Sequence, residues 1–123
     1  VPIFTHEQIY FLDLEGVDLV TLSACETALG TPESGEGVLG LVQAFQMAGA
    51  RSAIASLWKV DDEATQVLFD GFYERVLRIN RPLSPAEALR EASLALRDRK
   101  DANGKAPFAA PRYWAAFACY ERE

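Results

Sequence analysis

The chain has 123 residues, half of them apolar, and a formal charge of −6, with an isoelectric point near 4.8. That apolar share can build a core and excludes a disordered chain, while the acidity argues against a nucleic-acid or membrane-surface binder. Apolar runs break well short of the roughly 20 residues of a membrane-spanning helix, and no basic or apolar leader opens the sequence.

Thr5, with Gln8 at the capping-box position, opens a short helix. Val17–Ala24 reads as a strand buried on both faces, because its apolar residues hardly alternate. Gly30–Gly37 is a loop. Val38–Ala48 follows as a helix, with Val38, Leu41, Val42, Phe45 and Ala48 at helical spacing and Gly49 as its C-cap. Ser52–Trp58 is a second apolar strand. Asp61 caps a helix from Asp62 to about Ile79, with a core stripe of Val67, Leu68, Phe72, Val76 and Ile79. Asn80-Arg81-Pro82 stops it. Ser84-Pro85-Ala86-Glu87 combines a cap, a first-turn proline and a capping-box glutamate, and opens a helix to about Arg97. A loop to Pro111 leads into a last strand, Tyr113–Tyr120, whose Tyr113 and Trp114 are expected in the core.

This element order implies an α/β fold with parallel pairing and right-handed crossovers, in three layers. One domain is expected over residues 1–123. Two cysteines in unlike settings do not form a disulfide framework, and a reducing cytoplasm is the expected location. Cys119 lies inside an apolar run and reads as a buried thiol. Cys25 lies where a strand gives way to a polar, glycine-rich loop, which fixes its position and leaves its sulfur open to a ligand.

Three segments carry a family resemblance: LSACETALG, then GEGVLGLVQAFQMAGARSAIASLWKVDDEAT, then YWAAFACY. In this order and spacing they resemble the C-terminal part of a CHAT domain, over about Phe4 to Tyr120. CHAT domains are caspase-like, are related to separases, and are often attached to tetratricopeptide repeats. The resemblance implies a three-layer α/β/α caspase-like sandwich with a mostly parallel sheet, incomplete on its N-terminal side. It implies that Cys25 is the nucleophile of a cysteine endopeptidase acting on a protein or peptide substrate. The family's general base is a histidine in an H-G pair on an earlier strand. The one histidine here, His6, is not followed by glycine. The chain is therefore expected to be the second half of a peptidase domain, inactive alone. Tetratricopeptide repeats are expected in the parent chain, and no cofactor or metal is expected.

The resemblance implies that the Cys25 backbone N–H donates to the oxyanion, and the following glycines permit close approach of a substrate backbone. Glu26 either orients this loop or contacts substrate. Facing the sulfur would raise the thiol pKa, so it is not expected there. Sites on parallel sheets collect at strand C-terminal ends, which brings in Trp58, Asp61 and Asp62 after the second strand. Trp58 is a candidate pocket wall, and Asp61 and Asp62 are candidate readers of a basic side chain. Asp61 is equally readable as a helix N-cap and Asp62 as a first-turn acid. The separase acid that selects basic residues aligns nearer Gln66, which is not acidic. Glu33–Gly37 resembles a processing or substrate-side loop, or is a plain surface turn. A non-catalytic interaction module on the same fold is the competing reading. An acyltransferase or amidase is disfavoured, because Cys25 lacks a nucleophile elbow. A sheet missing its N-terminal strands has an open edge, so self-association as a twofold dimer is expected.

Overall fold

A computed structural model of the chain describes Gly16, residues 18–22 and residues 35–122, with side chains in the last span from Leu39 onward. The described elements are strands β1 (Leu19–Leu22), β2 (Ser52–Ser56) and β3 (Phe117–Glu121), and helices α1 (Gly35–Met47), α2 (Asp62–Val76), α3 (Pro85–Asp98) and α4 (Pro111–Trp114). They divide into two compact units. The first holds β1, α1, β2 and β3 from Ala118 on. The second holds Val60–Phe117.

In the first unit β1 and β2 pair in parallel, with Leu19 opposite Ser52 and Leu22 opposite Ala55. The Ser52 N–H donates to the Asp18 carbonyl at 3.0 Å and closes the near end of the pair. The α1 helix makes the crossover, as a parallel pair requires. It starts at Gly35, earlier than expected, so Gly35–Gly37 belong to its first turn rather than to a loop. It ends as its sequence suggests. Gly49 takes φ +126°, a backbone that disfavours any side chain. The Gly49 N–H donates to the Gln46 carbonyl and the Ala50 N–H to the Phe45 carbonyl, both at 3.1 Å. That pair of bonds is a Schellman cap.

All five β2 residues are buried, Ser52 and Ser56 included. Val42 of α1 packs with Ala53 and Ala55, and Leu22 and Tyr120 lie against this cluster. The sheet order is β1-β2-β3. Just beyond β3, the Arg122 N–H donates to the carbonyl of Arg51, just before β2, at 2.8 Å. The end of β3 therefore meets the start of β2, and β3 runs antiparallel. The sheet is mixed, which corrects the expectation of a parallel last strand. A long connection leaves strand direction open, and only the tertiary pairing fixes it. Mixed helix and strand, with a parallel β1–β2 pair, places the chain in a class compatible with α/β.

In the second unit α2 and α3 pack on each other and on α4. Fully buried Leu68 and Phe72 from α2 meet Ala88, Ala92 and Leu96 of α3 as the core. Phe69 stands edge-on to Phe72 and Phe117, with centroids 6.1 and 5.3 Å apart. The α3 start has the expected cap, with the glutamate on the serine hydroxyl: Ser84 Oγ accepts from the Glu87 N–H at 3.3 Å and donates to Glu87 Oε1 at 3.0 Å. Two expectations fail here. The α2 helix stops at Val76, so Ile79 is not in the core but 96% exposed. Arg81, at φ +58°, turns the chain back, and the Leu83 N–H returns to the Arg75 carbonyl. Tyr113 and Trp114 form the last strand's expected start but lie instead on α4, half-buried. Pro111 preorganises that turn, and Trp114 Nε1 donates to the Ala109 carbonyl at 2.9 Å.

Gly71 sits mid-helix in α2, where glycine costs about 1 kcal/mol relative to alanine. An added Cβ there would meet Ala92 Cβ at 3.7 Å, an ordinary contact, and Arg75 Nη1 at 3.1 Å. The guanidinium is the far end of a flexible chain and can give way. Gly71→Ala is expected to stabilise the protein by up to about 1 kcal/mol. Urea unfolding checks this, and a destabilised variant would show that the Arg75 position is rigidly needed.

Candidate functional site

The β1 strand ends at Leu22, three residues before Cys25 in the chain. Cys25, Glu26, His6 and residues 30–34 of the expected loop lie outside the described residues. Their proposed roles therefore rest on sequence. Of the candidate site residues, the described ones are Trp58, Asp61 and Asp62, in the segment that follows β2.

Trp58 lies two residues past β2 in the first unit and is 41% exposed. Its neighbour Leu57 is similarly exposed at 43%. Asp61 and Asp62 open the second unit. Asp61 is the N-cap of α2: its Oδ2 accepts from the Ala64 N–H at 3.0 Å. Its carbonyl accepts from both the Thr65 N–H and the Thr65 hydroxyl, each at 3.0 Å. The capping reading of Asp61 is thus realised in the geometry. One carboxylate oxygen carries that cap, and the other is not committed to it. Asp62 is an exposed acid in the first turn, where the helix dipole favours negative charge. Gln66 is exposed on the same helix.

A feature not anticipated from sequence is a cleft of about 520 Å³ between α2 and α3, lined by Asp70, Gly71, Glu74, Ala92 and Arg99 among others. The small residues Gly71, Ala92 and Ala95 in its lining leave room between the two helices. Arg75 links the two helices, donating to the Gly71 carbonyl at 2.9 Å and to Glu91 Oε1 at 3.4 Å. Among the described residues, no group of His, Cys, Asp or Glu is arranged to hold a metal ion. No described helix is long and apolar enough to cross a membrane.

Cys119 is a free thiol in β3, half-buried rather than fully buried as expected. Burial pushes its pKa up from 9.0 to about 11, and the carboxylate of Glu121 adds to the rise. An unfolded thiol ionises before this one does. The stability held by keeping Cys119 protonated is therefore complete below the ordinary value of 9.0 and is lost as pH rises through about 11. At neutral pH its thiolate fraction is minute, so it is a poor nucleophile. Alkylation of folded protein at neutral pH, read by mass spectrometry, is expected to spare Cys119 until denaturant is added. Rapid labelling of Cys119 in the native protein would contradict the burial argument.

The sequence profile of the CHAT domain family matches residues 2–122. Tetratricopeptide repeat protein 28 of Homo sapiens is 32% identical over 107 residues, which is 86% of this chain and 4% of that protein. The protein of the same name from Mus musculus aligns with the same identity and coverage. The chain thus spans a small fraction of the length of these curated relatives. No solved structure matches it. With its profile match running almost end to end, the chain belongs to the CHAT domain family.

Proposed function

We propose that this chain is the nucleophile-bearing part of a caspase-like cysteine endopeptidase, in a parent protein that also carries tetratricopeptide repeats. The carrying observation is the family match over residues 2–122, which includes the S-A-C-E-T segment directly after β1. The parallel β1–β2 pair supports it, because ligand sites on such sheets gather beyond the carboxyl ends of the strands. In this reading the Cys25 thiolate attacks the scissile carbonyl and forms a thioester through a tetrahedral intermediate. The Cys25 backbone N–H donates to the oxyanion. A histidine from outside these 123 residues takes the thiol proton and returns it to the leaving amine. Trp58 walls the pocket for the residue before the scissile bond, and Glu26 shapes the loop around the nucleophile. The fold is the three-layer sandwich of caspases, completed by strands that precede this segment.

The test is cleavage of a peptide library by the full-length protein. Cys25→Ala is expected to lower cleavage by at least about 10³-fold with folding unchanged. Equal turnover by the two proteins would overturn the peptidase reading and favour a non-catalytic interaction module. Asp61 needs a separate experiment, because it already caps α2. Asparagine caps as well as aspartate, so Asp61→Asn removes the charge and keeps the helix. Selective loss of cleavage after basic residues would assign Asp61 to substrate recognition. Unchanged selectivity would leave it as a cap alone.

A further inference from the structure

The loop between α3 and α4 carries Asn103-Gly104, a pairing with its own chemistry. Gly104 has no Cβ to shield its backbone nitrogen. The space beside its Cα is open, with nothing within 4 Å of where a side chain would begin. Asn103 and both its neighbours are exposed. Such a nitrogen, once deprotonated by solvent base, can attack the Asn103 side-chain carbonyl carbon.

Opposing this is a tight set of hydrogen bonds centred on Asp101. The Asn103 N–H donates to Asp101 Oδ1 at 2.8 Å, and the Lys105 N–H donates to the same oxygen at 2.9 Å. The Gly104 N–H donates to the Asp101 carbonyl at 3.0 Å. The Asp101 N–H closes the loop on the Lys105 carbonyl at 2.7 Å. Gly104 is held at φ +78° within it. The proton that the attacking nitrogen must lose is thus held in a hydrogen bond to the Asp101 carbonyl. An Asp side chain bonding to backbone N–H groups a few residues on is a common stabiliser of such turns.

We infer that Asn103-Gly104 is a deamidation site whose rate is set by Asp101. In the reaction the Gly104 nitrogen gives its proton to solvent base and forms a bond to Asn103 Cγ, the Cγ–Nδ2 bond breaks, and Nδ2 takes a proton from water and leaves as ammonia. The resulting succinimide takes up one water at either carbonyl and opens to aspartate or isoaspartate. Either product places a new carboxylate two residues from Asp101. Isoaspartate also inserts a methylene into the backbone of a loop closed by four hydrogen bonds. The modified loop cannot keep that pattern, so the connection from α3 to α4 loosens.

The test ages the full 123-residue chain at mildly alkaline pH and follows Asn103 by peptide mapping, with isoaspartate detected separately. A synthetic peptide of residues 99–107 serves as the unrestrained reference. The peptide is expected to convert at least several-fold faster than the folded chain. Asp101→Ala is expected to bring the folded chain most of the way to the peptide rate, with far-ultraviolet dichroism confirming that α3 persists. Asn103→Gln is expected to remove the conversion. Should Asp101→Ala fail to fold, Asp101→Asn tests the carboxylate with the turn preserved, and a rate between the two extremes supports the inference. Equal rates for peptide and folded chain would overturn it, as would an Asp101→Ala rate equal to that of the unaltered chain.

Discussion

Burial of the whole of β2 is the constraint on which the first unit depends. A strand with no exposed residue has no water for its N–H and C=O groups, so both of its edges need partners. The β1 strand supplies one and β3 the other, which is why the sheet order runs β1-β2-β3. The composition of β2 allows this. Ser-Ala-Ile-Ala-Ser has one large side chain, and its alanines let Val42 of α1 pack against the sheet. The register that results sets Leu19 opposite Ser52 and Leu22 opposite Ala55.

The second unit is built on a different principle. Its two long helices meet through alanines and a glycine, and the aromatic residues of α2 fill the space beside them. Ion pairs there are peripheral. Arg78 and Glu74 form a two-bond pair at 3.1 Å on the α2 surface, where solvent screening leaves little net stabilisation. Arg75 is different, because it reaches across to Glu91 of α3 and also holds a backbone carbonyl of its own helix.

What could be read from sequence was what local chemistry decides. Ser84, Pro85 and Glu87 announce the start of α3 within four residues, and Asp61 announces α2 in the same way. Gly49 marks the end of α1 because only glycine takes its backbone angle without strain. What could not be read depends on distant partners. Ile79 fits the apolar stripe of α2, but the helix ends before it and the turn at Arg81 leads the chain away. Tyr113 and Trp114 have strand-like side chains, yet Pro111 and the bond from Trp114 to Ala109 wind them into a helical turn. The direction of β3 is set only by its pairing with the segment around Arg51. For the candidate site, helix-start chemistry identified Asp61 as a cap, and no periodicity bears on whether its charge also serves recognition. Cys119 looked buried because its neighbours are apolar, but β3 lies at one end of the sheet order and leaves it half-covered.

The division of the chain has an entropic consequence. Residues Val60–Phe117 are inserted between β2 and β3, so the unit that contains β2 is finished only by the last few residues. For β3 to reach β2, the whole insertion must be spanned. If the insertion is unfolded, it is a long flexible loop whose closure costs entropy that grows with the logarithm of its length. Once α2 and α3 have paired, most of that freedom has already been given up. The hold of β3 on the sheet, and with it the cover over β2, is thermodynamically tied to the integrity of a helical unit that supplies only Phe117 to the strands.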